Sequence, residues 1–270
     1  MILYFVIIII IIIIIIYYDY KKEIGYNNLT YFNFRKYNLK PRNNIKYVCW
    51  TGGFDSTFIV CNYISKGYTV QPIYLDFKNL DDIYSPLKQT KRRNSKIEIS
   101  KMKEIRLLIK KFKNHSNLLP TKFITKQKPD RNILEIMSYI HTKYNLFTRK
   151  TNQYERIIEV AYHYKIPLEI GVQKSTSDDF YKLKKRGLIT EKHGNYEIIQ
   201  NLPSNYKLLG VLKTLRFPIV DLSKRDILAI AEQNQFDDIL KQTWSCWFPV
   251  YKNKKHYPCG KCNMCKERII

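Results

Sequence analysis

Ile45-Lys46-Tyr47-Val48-Cys49-Trp50-Thr51-Gly52-Gly53-Phe54-Asp55-Ser56 is the stretch whose reading decides the fold. Five of its first six residues, all but Lys46, are β-branched, aromatic or small, a run of the right length for a buried strand. From Thr57, apolar residues recur at helical spacing through Phe58, Ile59, Val60, Cys61, Tyr63 and Ile64. A Gly-Gly turn therefore joins a strand to a helix start. Adjacent glycines let the backbone turn tightly and aim successive N–H groups at one point. The helix end adds unpaired donors and the positive end of its dipole. Thr51 and Ser56 add hydroxyls suited to phosphate oxygens. Asp55 would be repelled by phosphate unless it caps the helix or meets the nucleotide through a cation, which implies Mg²⁺. The other reading is a plain turn capped by Asp55 or Ser56. A Walker loop is excluded, because no Gly-Lys-Ser/Thr follows.

Downstream, strands alternate with helices. Tyr68 to Phe77 reads as a second strand, 78–95 as a polar insertion, Ile97 to Phe112 as a charged amphipathic helix, and Phe123-Ile124 as a short third strand. Ile133 to Tyr144 and Thr151 to Tyr164 read as helices, and Ile166 to Val172 as a strand. That order predicts an α/β fold, a parallel sheet flanked by helices, with the ligand at the carboxyl ends of the strands. Cys49 and Cys61 flank the turn and read as small core residues.

The 270 residues carry 47 Lys+Arg against 23 Asp+Glu, a net charge of +24. With 45% hydrophobic and 14% aromatic residues the chain is neither disordered nor collagen-like. The charge admits a nucleic-acid partner, but Lys, Ile, Asn and Tyr are all over-used, and compositional drift accounts for much of it. Residues 1–18 are almost wholly apolar and include ten consecutive isoleucines, Ile7 to Ile16. They read either as a membrane anchor holding the remainder on the cytoplasmic side or as a repeat expansion. Residues 19–44 read as a linker. Either way the domain is expected in the cytoplasm.

Six cysteines are too few and too clustered for a disulfide scaffold. Four of them, Cys246, Cys259, Cys262 and Cys265, form the pattern C-x12-C-x2-C-x2-C. Four thiolates can surround Zn²⁺ tetrahedrally, and two-residue gaps let one tight turn supply neighbouring ligands. Iron–sulfur ligation and redox pairs share parts of this spacing. A closed four-cysteine site leaves no position for water, so a structural metal is expected.

Thr51-Gly52-Gly53-Phe54-Asp55-Ser56 resembles the Ser-Gly-Gly-x-Asp-Ser loop of the N-type ATP pyrophosphatases, with Thr51 in place of the first serine. Thr243-Trp244-Ser245-Cys246, followed by Pro258-Cys259-Gly260-x-Cys262-x-x-Cys265-x-x-Arg268, resembles the carboxyl terminus of the 7-cyano-7-deazaguanine synthases of the queuosine pathway. The resemblance spans about residues 45–270 and is thin between its two ends. It implies an adenine nucleotide alpha hydrolase-like, Rossmann-like domain over 45–240 and a zinc-binding segment over 241–270. It also implies adenylation of a deazapurine carboxylate, 7-carboxy-7-deazaguanine, by ATP, with ammonia converting it to the nitrile. ATP, Mg²⁺ and Zn²⁺ are the implied cofactors, and a homo-oligomer the expected assembly. Trp50, Thr51, Gly52, Gly53, Phe54, Asp55, Ser56, Thr57, Asp76 and Gly171 would contact nucleotide. Asp55, Ser56, Arg149 and Lys224 would serve catalysis; Gly171 would leave room for nucleotide or substrate. Lys224 lies in Pro218-Ile219-Val220-Asp221-Leu222-Ser223-Lys224-Arg225-Asp226-Ile227, similar to the Pro-Leu-x-x-x-Lys-x-Glu-Ile element of those enzymes.

The chain departs from the pattern in two places. Asp76-Phe77-Lys78 replaces Asp-Tyr-Gly-Gln-Arg-His, and Gln173 to Asp179 replaces the Tyr-Pro-Asp-Cys-Arg segment of the deazaguanine pocket. The acceptor is therefore less defined than the nucleotide. A related ATP pyrophosphatase acting on a tRNA base or other acceptor, and a non-catalytic zinc-stapled relative, are the alternatives.

Overall fold

The computed structural model describes residues 4, 7–17, 45–75, 95–112, 117–124, 131–147, 153–164, 166–175, 178–193 and 196–266. The first strand, β1 (Ile45–Cys49), lies between β2 (Thr69–Leu75) and β4 (Leu168–Glu169), parallel to both. β3 (Lys122–Ile124) extends the sheet beyond β2, and β7 (Leu215–Phe217) extends it beyond β4, again in parallel. β6 (Tyr196–Ile199) and β5 (Ile189–His193) then add an antiparallel edge, giving the order β3-β2-β1-β4-β7-β6-β5. The sheet is thus mostly parallel, as expected, but not wholly so.

Side-chain alternation along β1 divides the core. Val48 and Trp50 join one apolar cluster; Cys49 joins another on the opposite face. Over the first face pack α1 (Phe54–Ser65), α2 (Ser95–Phe112), α6 (Lys224–Gln233) and α7 (Asp237–Lys241). Over the second pack α3 (Arg131–Tyr144), α4 (Gln153–His163), α5 (Asp179–Lys185) and a 3₁₀ segment, Ser204–Thr214. Both faces are covered, which is why the strands read as continuous apolar runs.

β4 is shorter than the run Ile166 to Val172 suggests. Pro167 has no N–H to offer the ladder, and the chain leaves the sheet by Gly171, where it turns against α1. Cys49 and Cys61 are buried, as expected, and burial pushes the Cys49 thiol up to about 12. Tyr4 and residues 7–17 are helical and exposed. Among the described residues no helix is long and apolar enough to cross a membrane.

Candidate functional site

β1 has its chain-order successor, β2, on one side and β4 on the other, so the strand order reverses beside it. In an open α/β sheet the crevice outside the carboxyl ends of the strands at such a reversal is where ligands bind. Thr51–Ser56 follows β1 at that end, and Gly171 follows β4.

The two segments are in close contact. A Cβ on Gly171 would lie 2.9 Å from Asp55 Cβ and 3.3 Å from the Ser56 nitrogen. Gly171 therefore makes room for the first turn of α1, rather than the room for nucleotide or substrate expected of it. Gly52 has φ +73°, and a Cβ there would meet Met102 Cγ at 3.0 Å and the Glu98 carbonyl at 3.4 Å. The loop is thus walled by α2 on one side and by the strand after β4 on the other.

Within the loop the hydroxyls serve the backbone. Gly53 N–H donates to Thr51 Oγ1 and Thr51 N–H to Ser56 Oγ, each at 3.4 Å. Ser56 Oγ reaches the Gly53 carbonyl, also at 3.4 Å. These are long bonds that a stronger acceptor can replace. Gly53 is the N-cap of α1, with φ −79° and ψ 166°, and supplies no side-chain cap. The twelve-residue helix thus points an end without a side-chain cap into the crevice. Trp50, Phe54 and Thr57 turn inward: Trp50 and Thr57 are wholly buried, and Trp50 Nε1 donates to Thr57 Oγ1 at 3.0 Å. The side chains of these two are taken up in the core.

Lys224 opens α6, in the segment that follows β7 at the same end of the sheet. Ser223 and Asp226 form a capping box there: Asp226 N–H donates to Ser223 Oγ at 3.2 Å, and Ser223 N–H to Asp226 Oδ2 at 2.8 Å. That helix end is closed by its own side chains, unlike α1. Lys174 N–H donates to the Leu222 carbonyl at 2.9 Å and so ties the segment after Gly171 to the approach to Lys224. Asp76 and Arg149 lie outside the described residues, as does most of the polar insertion.

Asp178 and Asp179, in the segment that departs from the deazaguanine-pocket pattern, have structural work. Asp178 caps α5 through Phe180 and Tyr181 N–H and accepts from Tyr154 Oη at 2.9 Å. Asp179 Oδ2 accepts from Phe147 N–H at 2.9 Å.

The cysteine segment sits directly behind the Thr51–Ser56 loop, a relation the sequence does not announce. Trp244 N–H donates to the Gly52 carbonyl at 3.0 Å, and a Cβ on Gly53 would lie 3.6 Å from the Trp244 carbonyl. Trp244 Nε1 then donates to the Cys246 carbonyl at 2.9 Å. Trp244, Cys246 and Ile97 of α2 form a small apolar cluster against which Cys259, Cys262 and Cys265 pack. The sulfurs of Cys246, Cys259, Cys262 and Cys265 all lie within 4.8 Å of one another.

A zinc ion bound at about 2.3 Å to four sulfurs sets them about 3.8 Å apart. The Cys259–Cys265 and Cys262–Cys265 distances, 3.9 and 3.5 Å, match that edge. Cys259 N–H points at Cys246 Sγ (3.2 Å), and Cys262 N–H at Cys259 Sγ (3.3 Å), the donors a thiolate site uses. Backbone donors from Lys261 and Cys262 hold the Cys259 thiol down to about 6, while burial pushes Cys246 up to about 12. The donor set fits Zn²⁺, which would cross-link this segment without an open coordination position.

A second polar group, missed in the sequence, lies beneath the site. Glu169 of β4 is buried, and Tyr63 Oη of α1 donates to its Oε2 at 3.0 Å. The Lys46 ammonium lies over the rings of Tyr63, Tyr68 and Tyr196, at 5.2, 4.8 and 4.4 Å. Burial pushes the Glu169 carboxyl up to about 7, against the opposing pull of Lys46, Tyr63 and Arg216. Burial also lowers Lys46, outweighing the attraction of Glu169.

Residues 201–269 match the family model described as queuosine biosynthesis protein QueC. No curated protein matches the chain. Solved structures similar to it include the following two. NMN synthetase from Francisella tularensis has 11% identity and a TM-score of 0.36, over 82% of this chain and 73% of its own. A predicted subunit of tRNA methyltransferase from Methanocaldococcus jannaschii DSM has 15% identity and a TM-score of 0.27, over 80% of this chain and 96% of its own. The family match takes in Lys224, Trp244 and all four clustered cysteines; the loop at 51–56 lies outside it.

Proposed function

We propose that the chain is an ATP pyrophosphatase that adenylates an acceptor oxygen at the Thr51–Ser56 loop, and that the acceptor is 7-carboxy-7-deazaguanine. The observation that carries the reading is the Trp244–Gly52 hydrogen bond. It joins the segment inside the queuosine-protein match to the loop that resembles the pyrophosphatases.

The backbone N–H groups at the start of α1, with the Thr51 and Ser56 hydroxyls, bind the β- and γ-phosphates. Asp55, a hard oxygen donor in the first turn, would hold Mg²⁺, which neutralises charge on the departing pyrophosphate. Lys224 assists from the neighbouring helix end, and Arg149 is assigned to the same task.

In the first half-reaction a carboxylate oxygen of the acceptor attacks the α-phosphorus. The bond from that phosphorus to the bridging oxygen breaks, and pyrophosphate leaves. Ammonia displaces AMP from the acyl adenylate and loses a proton, leaving the amide. A second ATP adenylates the amide oxygen, again releasing pyrophosphate. Loss of AMP and of both protons on the nitrogen then gives the nitrile. The protein's share is positioning and charge stabilisation.

The test supplies purified protein with ATP, Mg²⁺, ammonia and 7-carboxy-7-deazaguanine and follows AMP and nitrile by mass spectrometry. Two AMP per nitrile are expected. AMP formed only with a different acceptor would remove the deazaguanine assignment, and no AMP with any acceptor would remove adenylation.

A further inference from the structure

Between Cys246 and Cys259 the chain forms a hairpin that stands in solvent. β8 (Val250–Lys252) pairs antiparallel with β9 (Lys255–Tyr257), in the register Val250↔Tyr257, Tyr251↔His256, Lys252↔Lys255. Asn253 and Lys254 close it with φ of 51° and 57°, a two-residue turn of the hairpin-compatible hand. Every residue of both strands is exposed. A lone two-stranded hairpin is marginal in water. This one is held at its base by the cysteine cluster, which contributes Cys246 before it and Cys259 after it.

The exposed side chains are not those of an idle loop. Tyr251 is 65% exposed, Val250 51%, Tyr257 45% and Phe248, just before the hairpin, 37%. From Cys246 to Lys266 there are five lysines, Lys252, Lys254, Lys255, Lys261 and Lys266, with His256 and no carboxylate. Aromatic side chains lie on both faces of the ribbon, and the strand lysines on one of them. Tyr251 and His256 lie together with ring centroids 4.8 Å apart, while Val250, Lys252, Lys255 and Tyr257 share the opposite face. Aromatic faces between lysines suit unpaired bases flanked by phosphates, where stacking is tolerant of sequence and the cations track the backbone. An acidic protein would match the charge but leave the tyrosine faces without a use. Val250 is six positions after Trp244, so the hairpin begins within roughly 20 Å of Trp244, which itself bonds to Gly52.

We propose that the hairpin Val250–Tyr257 is a contact surface for single-stranded nucleic acid, with Tyr251 and Tyr257 stacking on bases and Lys252 and Lys255 meeting phosphates. The inference does not rest on the ATP reading, and its test omits ATP.

The probe is a fluorescein-labelled mixed-sequence RNA of about twenty nucleotides, long enough to span one such site. Its anisotropy is followed on the full zinc-loaded chain across a salt series. Tyr251→Ala is expected to weaken binding by about fivefold to a hundredfold, with Tyr251→Phe restoring it. Lys252→Gln with Lys255→Gln is expected to flatten the slope of log K against log salt by about 1.4, or ~0.7 per lost contact. Zinc content and circular dichroism report whether each variant keeps its fold. Binding that ignores all these substitutions would overturn the proposal and leave only the diffuse charge of the chain. Equal displacement of the RNA by polyglutamate, or preference for a duplex of the same length, would overturn it as well, the former in favour of an acidic protein.

Discussion

Replacing Gly171 by alanine adds one methyl group at the most confined point of the site. That methyl carbon would lie 2.9 Å from Asp55 Cβ and 3.3 Å from the Ser56 nitrogen. Carbon–carbon contacts settle at about 3.5–4.0 Å, so relief needs a shift of about 0.6 Å or more. Neither neighbour can rotate away, because one is backbone and the other is bonded to it. The displacement must be taken by the first turn of α1 or by the strand end after β4. Overpacking of this kind costs about 1–3 kcal/mol of stability. Because a misplacement near 1 Å can cost about 10²-fold in rate, pyrophosphate release should fall roughly 10- to 100-fold. Urea denaturation and the kcat/KM for pyrophosphate release measure the two effects on one sample. Gly67→Ala is the control: Gly67 has φ +80° but nothing within 4 Å of the added carbon. It should lose roughly 1–2 kcal/mol from backbone strain and keep full activity. If Gly171→Ala releases pyrophosphate as fast as Gly67→Ala, the close approach does not position the loop.

Other expectations come from the neighbouring groups. Glu169 has a folded pKa of about 7, above the ordinary carboxyl value of 4.5, so the folded state holds the extra proton between them. Stability should therefore fall as pH rises from about 4.5 through 7, by about 3 kcal/mol, with Lys46, Tyr63, Tyr196 and Arg216 around the group. Glu169→Gln keeps an acceptor for Tyr63 and should abolish that slope in urea midpoints; an unchanged slope would assign it elsewhere. Asp55→Asn should lower Mg²⁺-dependent pyrophosphate release roughly 10²-fold with little loss of stability, and an active variant would place the cation elsewhere. Cys262→Ser, or chelation, should remove zinc measured by atomic emission and at the same time slow pyrophosphate release, because Trp244 loses its anchor beside Gly52. Loss of metal with full activity would uncouple the two.

The parallel part of the fold was legible because its central strands are short runs rich in β-branched and aromatic residues, ending in buried positions. Ile45 to Cys49 and the helix after it are of this kind, and even the three-residue β3 at Lys122–Ile124 was visible at Phe123-Ile124. The antiparallel edge was missed. Its strands are short and interrupted by charged residues, as in Ile189-Thr190-Glu191-Lys192-His193 and Tyr196-Glu197-Ile198-Ile199, and Gly194-Asn195 between the two runs is the hairpin signal in the sequence. The β8–β9 hairpin was hidden for another reason: its three-residue strands mix apolar and charged side chains, all exposed, and the cysteine spacing around it drew the reading toward the metal. The phosphate loop was legible as strand, glycines and helix. The partner across the crevice at Gly171 was legible only as a glycine, and the Glu169 network not at all, since it joins residues 46, 63, 169 and 216 across four elements.

The long-range pairing of residues 52 and 244 changes what the cysteine segment is for. A four-thiolate zinc site could serve merely to close a loose carboxyl end, since a small segment cannot bury enough apolar surface to fold by itself. Here the same segment contributes a backbone donor to the phosphate loop and a carbonyl within 3.6 Å of where a side chain at Gly53 would begin. Ile97 of α2 packs among Trp244 and the cysteines, and α2 also supplies Met102 and the Glu98 carbonyl against Gly52. A shift of the cysteine turn is therefore passed to the loop by two routes, one through Trp244 and one through α2. Loop geometry decides phosphate binding to within about an ångström. On the proposed reading, a metal held by these four sulfurs would position the loop for nucleotide, although none of the sulfurs need approach the chemistry.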